Sequence, residues 1–192
     1  MIGLKFFSRY LAAIAVFAAS GCATWTQDGH RSYRTLPHSI PGTIETENYD
    51  AGPPGYAYVD SDEVNHGAHY RRKTHVDIEA RDDASNGHGI GWTRASEWLT
   101  YTVDVEETGT YSIEIPVASD RQGGSFHIEM DGVNVSGAIA VPDTGGWTEL
   151  ETIRVDNVEL NSGRQVLTLR MDTEGTSGSI GDIDCLRFIK TP

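Results

Sequence analysis

The sequence predicts an all-β domain, built as a sandwich or a barrel, between residues 40 and 189. Short runs of alternating apolar and polar residues recur along this part of the chain, glycine-containing turns separate them, and no long amphipathic helix pattern interrupts them. Many short strands joined by regular turns are typical of sandwiches and barrels. A segment of roughly 150 residues is also a normal size for one domain with its own core.

The strands follow in order along the chain. Alternation predicts strands at residues 99–105, 111–117, 126–130, 133–135, 147–155, 165–171 and 183–189. Asp131 and Gly132 form the turn between the third and fourth of these strands, since Asp-Gly pairs favour tight hairpin turns. Residues 52–89 are rich in glycine, histidine, aspartate and asparagine and lack periodicity, so we expect long loops around short strands there.

The first 21 residues predict the export signal of a bacterial lipoprotein. Lys5 and Arg9 precede an apolar run at residues 10–19, which is too short to span a bilayer, and small residues then lead to Cys22. This order resembles a bacterial lipobox, in which the cysteine becomes the lipidated first residue. The alternative is an ordinary secretory signal that contains a cysteine. A lipidated Cys22 would hold the protein on the bacterial cell envelope, at the outer membrane or cell surface, without burying the domain.

The residues after this cysteine are polar and aperiodic, so 22–40 are interpreted as a tether and 41–192 as the folded module. Tyr33 either docks on the domain or stays loose within the tether. If Cys22 carries lipid, Cys185 has no disulfide partner, and its place in an apolar strand predicts a buried core thiol.

The chain is strongly acidic, with a formal net charge of −13. Such a surface repels phosphate backbones and anionic headgroups. The charge therefore argues against a nucleic-acid partner, leaves the lipid anchor as the only membrane contact, and favours a neutral ligand.

Two acidic pairs flank the predicted domain. Glu45 and Glu47 alternate along one strand-like segment, and Asp182 and Asp184 alternate along another. Side chains two residues apart on a strand share a face, so the two carboxylates of each pair repel each other unless a cation lies between them. A hard divalent cation such as calcium would use such an oxygen cluster. Two solvated strand edges are the alternative.

The sequence carries no marked catalytic motif. It lacks a helical His-x-x-x-His pair, a glycine-rich phosphate loop and a Gly-x-Ser-x-Gly elbow. Acidic residues are plentiful enough for a pair that hydrolyses glycosides, but no neighbouring pattern marks one. A small glycoside hydrolase or lyase on the same sandwich thus stays an alternative to a binding protein, as does a structural envelope protein that contacts other proteins.

Aromatic residues next to turns favour sugar binding. Sugars need flat aromatic rings for their C–H faces and polar groups for their hydroxyls. Tyr70 follows a Gly-Ala-His segment and Trp147 follows a Gly-Gly turn, whereas Trp98 lies within a strand and is interpreted as a packing residue. Trp92, in Gly-Trp-Thr, fits either role.

These features occur in a longer ordered series of motifs. The series comprises Ile-Glu-Thr-Glu-Asn-Tyr at 44–49, Ala-Tyr-Val-Asp-Ser-Asp at 57–62, Tyr-Arg at 70–71, Val-Asp-Ile-Glu at 76–79, Ile-Gly-Trp-Thr at 90–93, Glu-Trp-Leu-Thr-Tyr-Thr-Val at 97–103, Gly-Thr-Tyr at 109–111, Gly-Ser-Phe at 124–126, Asp-Gly at 131–132, Thr-Gly-Gly-Trp at 144–147 and Asp-Ile-Asp at 182–184. Over about residues 41–189, the series resembles a family 6 carbohydrate-binding module.

The resemblance implies a jelly-roll β-sandwich that binds polysaccharide without catalysis. The glycan site would lie in the loops at one end, with a sugar ring between Tyr70 and Trp147. Asp182 falls where the family often has asparagine; an ionised aspartate accepts hydrogen bonds but cannot donate them, so the preferred hydroxyl pattern would differ. A second cleft on a sheet face, present in some members, could include Trp92.

The resemblance also implies a structural calcium ion. Glu45, Glu47 and Asp184 fall on calcium-binding positions, and a backbone carbonyl near Arg71 would complete the shell. The expected ligand is a neutral polysaccharide, and glycoside hydrolases are possible partners.

Overall fold

The computed structural model describes residue 29 and residues 31–192. The predicted signal peptide 1–21 and the lipidation residue Cys22 lie outside the described residues. The described part contains two short 3-10 helices, Tyr33–Thr35 and Thr46–Asn48, and fourteen strands. These are β1 His38–Ile40, β2 Gly42–Glu45, β3 Tyr58–Val59, β4 Ile78–Ala80, β5 His88–Ile90, β6 Trp98–Val105, β7 Gly109–Ser119, β8 Ser125–Met130, β9 Val133–Asn134, β10 Ile139–Ala140, β11 Gly146–Leu160, β12 Gly163–Thr173, β13 Asp182–Ile183 and β14 Cys185–Lys190.

The strands form two seven-stranded sheets. In the first sheet the order is β1-β6-β12-β8-β10, with β3 also paired to β6 and β9 to β8. In the second it is β2-β14-β7-β13-β5-β4, with β11 paired to β7. Every strand pair is antiparallel except β1 with β6. The predicted all-β jelly-roll sandwich is confirmed.

The core lies between the two sheets and follows the alternation of the sequence. In β8, Phe126, Ile128 and Met130 are buried while the residues between them are partly exposed. Facing them, β7 and β14 contribute buried residues such as Ile113 and Phe188. Apolar residues at every second position therefore decide which face of β8 is buried, whereas β6 also buries Thr100 and Thr102 on its other face.

The folded part begins earlier than residue 41. His38–Ile40 form β1, which pairs in parallel with Val103–Val105, and Ile40 is fully buried. The segment before it also docks, because the Tyr33 hydroxyl lies 2.7 Å from that of Tyr70. The predicted tether 22–40 is thus too long at its C-terminal end, since an apolar Ile40 fills the core.

The acidic segment at residues 45–48 does not form the continuous strand expected from its alternation. β2 ends at Glu45, and Thr46–Asn48 is a 3-10 helix. The Thr46 hydroxyl donates to the carbonyls of Ile183 and Asp184, at 2.7 and 2.8 Å, and the Thr46 carbonyl accepts from Tyr101 at 2.8 Å. These buried bonds turn the chain out of the ladder, so Glu47 projects from a helix and not from a strand.

Cys185 is a free, fully buried cysteine, as the sequence predicted. Among the described residues, no helix has the length and apolar character needed to cross a bilayer.

Replacing Phe188 by alanine should destabilise the domain by about 3–5 kcal/mol, because it empties a large buried site between the sheets. Urea unfolding of the variant measures this loss. Val133→Ala, at a residue 64% exposed in β9, is the matched control and should change the stability by less than about 0.5 kcal/mol. Equal stabilities for the two variants would contradict the placement of Phe188 in the core.

Candidate functional site

A cavity of about 320 Å³ opens where the loops of the second sheet meet. Trp92 and Trp147 both line it, and they are 43% and 36% exposed, respectively. Single exposed apolar residues are common, but two exposed tryptophans that line one cavity form an apolar patch of the kind that meets a ligand or a partner. The remaining lining residues are polar or small, namely Glu79, Arg94, Ser177, Gly178, Ser179 and Asp182.

Trp147 is held at the start of β11 by the turn that precedes it. The Asp143 carboxylate accepts from the Gly145 amide at 3.0 Å, and Gly145 has φ of 89°, a conformation that favours glycine. The Thr144 hydroxyl accepts from the Ser119 amide at 2.9 Å, which attaches the turn to the end of β7. The tight turn therefore fixes the backbone that carries the indole ring.

Trp92 follows β5 and has φ of 49°, in the left-handed region. The next residue, Thr93, attaches this turn to the loop before β13: its hydroxyl donates to the Gly181 carbonyl at 2.7 Å, and its own carbonyl accepts from the Ile180 amide at 3.0 Å. A strained backbone held by buried bonds is typical of functional sites. The preceding Gly91 leaves room for Glu79, since a Cβ there would lie 2.9 Å from the Glu79 side chain.

Arg81 lies beneath the cavity with a side chain only 4% exposed. Its guanidinium Nη1 donates to Asp182 Oδ2 at 2.8 Å and to Glu79 Oε2 at 3.0 Å. Nη2 donates to the Trp147 carbonyl at 2.7 Å and to Asp83 Oδ2 at 2.8 Å, and Nε donates to Asp83 Oδ1 at 3.0 Å. All five N–H donors of the guanidinium are thus used.

Asp182 is 2% exposed and faces an unusual electrostatic environment. Burial raises its pKa to about 8; the neighbouring Glu79 carboxylate adds to the rise and Arg81 opposes it. Three carboxyl groups, those of Asp182, Glu79 and Asp83, share one guanidinium and compete for its positive charge. Carboxyl groups therefore dominate the floor of the pocket.

The rim of the cavity is closed by polar contacts between loops. Arg94 donates to the Gly178 carbonyl and lies 3.7 Å from the Glu174 carboxylate. The Ser179 hydroxyl donates to the Thr93 carbonyl at 2.8 Å. These bonds join the loop after β5 to the loop before β13, so the two walls of the cavity are attached to each other.

A second cluster of carboxylates lies on the other side of the loop between β4 and β5. Ligand atoms of Glu45, Asp184 and Cys185 lie within 4.8 Å of one another. The Ser85 hydroxyl donates to Glu45 Oε2 at 2.5 Å and lies 3.2 Å from Asp184 Oδ1, which also accepts from the Ser85 amide at 3.0 Å. The carboxylates of Glu45 and Asp184 thus lie close together, although the two residues come from opposite ends of the domain.

Glu47 adds an oxygen that has no partner within the described part of the chain. The residue is fully buried; Oε1 accepts from Asn86 at 2.7 Å, while Oε2 is buried without a hydrogen bond. Burial raises the pKa of Glu47 to about 7, and the charges of Glu45 and Asp184 also raise it. A buried, unpaired carboxylate oxygen near two further carboxylates has the donor chemistry that calcium requires.

Arg71 does not supply a carbonyl to this cluster. Its carbonyl oxygen accepts from both the amide and the hydroxyl of Thr74, at 3.0 and 2.8 Å, so both lone pairs are used. Its guanidinium stacks 3.6 Å from the centre of the Tyr49 ring and donates to the Asp50 carbonyl at 2.8 Å. Arg71 therefore supports the fold in this structure, and its predicted role as a metal ligand stays a prediction.

Tyr70 is not among the residues that line the cavity. Its hydroxyl donates to Asn48 Oδ1 at 2.7 Å and contacts Tyr33, and its ring lies 4.5 Å from the His88 ring. The structure therefore does not bring Tyr70 together with Trp147. The aromatic partner of Trp147 in the cavity is Trp92. Trp92 therefore lies in the loop cavity and not in a separate cleft on a sheet face. A separate hollow on the outer face of the first sheet is lined by Trp98.

Sequence reasoning missed the residues that organise the two sites. Arg81, Glu79, Ser85 and Asn86 all lie in the stretch that was interpreted as an irregular loop region. The one available signal was Arg81 itself, a single cation within the acidic run Glu-Ala-Arg-Asp-Asp at 79–83. Such a residue is a candidate for pairing with several carboxylates at once.

Comparison with known families identifies the family of this domain. The family described as carbohydrate binding module (family 6) matches residues 66–190, which include Trp92, Trp147 and Asp182. The chain belongs to carbohydrate-binding module family 6. This is a family of non-catalytic binding modules. Glu45 and Glu47 lie before the matched residues.

Solved structures support the same assignment. The chain resembles the family 6 module CBM6cm-2 of lichenase 5A from Cellvibrio mixtus, solved with cellotriose, at 26% identity and a TM-score of 0.58, covering 80% of this chain and 99% of that one. It also resembles a β-1,3-glucan-binding family 6 module from Bacillus halodurans at 25% identity and a TM-score of 0.58, covering 80% and 98%.

A curated relative is much longer than this chain. The clotting factor G alpha subunit of Tachypleus tridentatus is 33% identical over 100 residues, which are 49% of this chain and 15% of that protein. The similarity therefore concerns one module of a larger protein.

The raised pKa values predict how stability changes with pH in the presence of a chelator. Asp182 and Glu47 hold their protons more tightly in the folded domain than in the unfolded chain, so they stabilise the fold at acid pH. That stabilisation is lost as the pH rises from the ordinary carboxyl range through 7 and 8. Urea unfolding between about pH 5 and about pH 9 should show falling stability.

The variant Asp182→Asn should reduce this fall, because it removes one of the carboxyl groups whose pKa is raised, a set that also includes Asp60, with a pKa raised by burial to about 7. Asp104→Asn is the matched control: its surface carboxylate pairs with Arg164, which lowers the pKa of Asp104, so it does not titrate in this range. Stability that rises with pH in the chelated wild type would contradict the assignment.

Proposed function

We propose that this module binds a neutral β-linked glucan, with one sugar ring held between Trp92 and Trp147. The observation that carries the proposal is that two exposed tryptophans and the buried Asp182 line one cavity. The cavity of about 320 Å³ falls at the lower end of the range for small-ligand sites. The titles of the similar structures name cellotriose and β-1,3-glucan as ligands of those proteins.

Stacking on the two indole rings supplies most of the affinity. Each aromatic contact with the C–H face of a sugar is worth about 1 kcal/mol, by analogy with aromatic pairs. A single open site of this kind binds weakly, with a Kd in roughly the micromolar-to-millimolar range. Such affinity suits a module that holds a polymer and acts through repeated contacts along it.

Asp182 selects among hydroxyl patterns. Its Oδ2 is taken by Arg81, so Oδ1 is the atom that meets a sugar hydroxyl, as an acceptor when Asp182 is ionised and as a donor when it is protonated. The adjacent Glu79 also offers only acceptor oxygens when ionised. A ligand rich in hydroxyl donors is therefore favoured over uronate or sulfated chains, which would place negative charge against these carboxylates.

A calcium ion held by Glu45, Glu47 and Asp184 is the second part of the proposal. The unpaired Glu47 Oε2 supports it, because a buried oxygen without a donor is costly and a cation removes that cost. The ion would supply positive charge to all three carboxylates. It would also join the 3-10 helix after β2 to the segment between β13 and β14.

Cys22 completes the proposal with a lipid anchor. A lipidated cysteine following the signal peptide 1–21 would display the module on the bacterial envelope. There it would keep polysaccharide close to the cell and to partner glycoside hydrolases. Because β1 begins at His38, the tether after Cys22 would contain fewer residues than the 22–40 segment that the sequence suggested.

Alanine at Trp92 or at Trp147 should each weaken binding of a β-1,3-gluco-oligosaccharide by roughly fivefold or more, because each removes a stacking surface. Isothermal titration of the parent and both variants measures the loss. Reducing-sugar assays on the same samples should show no hydrolysis.

Tyr70→Leu is the control that separates the two possible aromatic pairs. It keeps the apolar packing against the core but removes the ring, and the affinity should not change. A loss with Tyr70→Leu and none with Trp92→Ala would restore the pairing that the sequence suggested.

Removing calcium should lower the melting temperature by roughly 5–10 °C relative to calcium at 100 times its Kd, and adding calcium should restore it. Glu47→Gln should melt alike with calcium and with chelator. Glu149→Gln, at an exposed glutamate of β11, should keep the full response. A wild-type melt that ignores chelator would contradict the cation site.

A further inference from the structure

One short segment contacts both the cavity and the carboxylate cluster. Residues 81–87, here called the linking loop, join β4 to β5. The loop is closed on itself by a hydrogen bond from the Arg81 amide to the Gly87 carbonyl at 2.9 Å. Its first residue, Arg81, bonds Asp182 and Trp147, which line the cavity, and its later residues bond the carboxylates of the cluster.

At the cavity end, Arg81 holds two elements that are distant in sequence. Its guanidinium bonds the Asp182 carboxylate at 2.8 Å and the Trp147 carbonyl at 2.7 Å. Asp83, inside the linking loop, takes Nε and the second N–H of Nη2, at 3.0 and 2.8 Å. Because all five donors are used, the guanidinium cannot turn or shift without breaking a bond to the cavity or to the loop.

At the cluster end, the loop supplies hydrogen bonds to the proposed cation ligands. The Ser85 amide donates to Asp184 at 3.0 Å, the Ser85 hydroxyl to Glu45 at 2.5 Å, and the Asn86 amide group to Glu47 at 2.7 Å. A cation among these carboxylates binds oxygens of the same three groups that accept from residues 85 and 86. Its charge acts on these hydrogen bonds, so its binding would shift residues 85 and 86.

The rearrangement has a direct path to the cavity. Ser85 is two residues from Asp83, which holds Arg81, and Asp184 is two residues from Asp182. The loop and the β13 segment thus both join the cluster to the cavity floor. The two connections meet at Arg81, because its guanidinium donates both to Asp83 in the loop and to Asp182 in β13.

We propose that Arg81 is a positioning residue that couples cation binding at the carboxylate cluster to glycan binding in the cavity. The proposal rests on the proposed function of both sites. Calcium bound at the cluster sets the place of Arg81, and Arg81 sets the Trp147 backbone and the Asp182 carboxylate. Linkage makes the effect reciprocal, so a bound glycan strengthens calcium binding by the same factor.

The test has one readout that needs no glycan. The indole N–H resonance of Trp147, assigned by its loss in Trp147→Phe, is followed by nitrogen–proton NMR on the full chain while calcium chloride is added. In the wild type the resonance should shift with calcium. In Arg81→Lys, which keeps the charge but offers three donors in place of five, calcium should still bind and the Trp147 shift should be lost.

The second readout is the affinity for a β-1,3-gluco-oligosaccharide with calcium and with chelator. Calcium should raise the wild-type affinity about tenfold, within the usual range of coupling between sites, and should change that of Arg81→Lys less than about twofold. Arg164→Lys is the matched control: its guanidinium also pairs with a carboxylate, Asp104, but on the other sheet, and it should behave as the wild type.

The possible outcomes are distinct. If Arg81→Lys does not fold, Asp83→Asn replaces it, because this change weakens the bond between the loop and Arg81 and leaves the bonds to Asp182 and Trp147. A wild-type Trp147 resonance that ignores bound calcium overturns the coupling, as does an Arg81 variant that keeps the full shift. If no oligosaccharide binds, the proposed function fails, while the NMR result still decides whether the sites are coupled.

Discussion

The buried guanidinium of Arg81 is the interaction on which the candidate site depends. A charge placed out of contact with water is tolerated only when its hydrogen bonds are satisfied, and breaking such a cluster by removing one partner costs about 3–5 kcal/mol. Arg81 meets that condition with acceptors from β4, the linking loop, β11 and β13. The same bonds that satisfy the charge also fix the backbone of Trp147 and the carboxylate of Asp182.

Two groups of carboxylates lie on opposite sides of the linking loop, and they differ in how their negative charge is balanced. Asp182, Glu79 and Asp83 share a cation that belongs to the chain. Among the described residues, Glu45, Glu47 and Asp184 accept hydrogen bonds from the neutral groups of Ser85, Asn86 and Cys185, and one oxygen of Glu47 accepts none. In the first group, Arg81 balances the negative charge of the carboxylates. The second group has no such cation among its hydrogen-bond donors in the described part of the chain, and its carboxylates have the chemistry of a site for an external cation.

Much of the fold was predictable from the sequence, because burial on one face of a strand requires an apolar residue at every second position. The long strands β6, β7, β8 and β12 follow this rule.

Trp147 and Asp182 were identifiable from a turn and a terminal motif. The resemblance favours Tyr70 over Trp92 as the partner of Trp147, although both follow glycine-containing segments. The choice depends on Tyr33, whose contact with Tyr70 arises only in the folded state. Arg81 escaped detection because its acceptors come from segments up to 101 residues apart.

The central claim is that a sugar ring lies between Trp92 and Trp147, over the carboxylate that Arg81 positions. A crystal structure of the calcium-loaded domain with a β-1,3-gluco-oligosaccharide tests it most directly. The account predicts that a ring stacks between the two indoles, with a hydroxyl within hydrogen-bond distance of Asp182. An oligosaccharide found only against Tyr70, or only on the face of the first sheet beside Trp98, would contradict it.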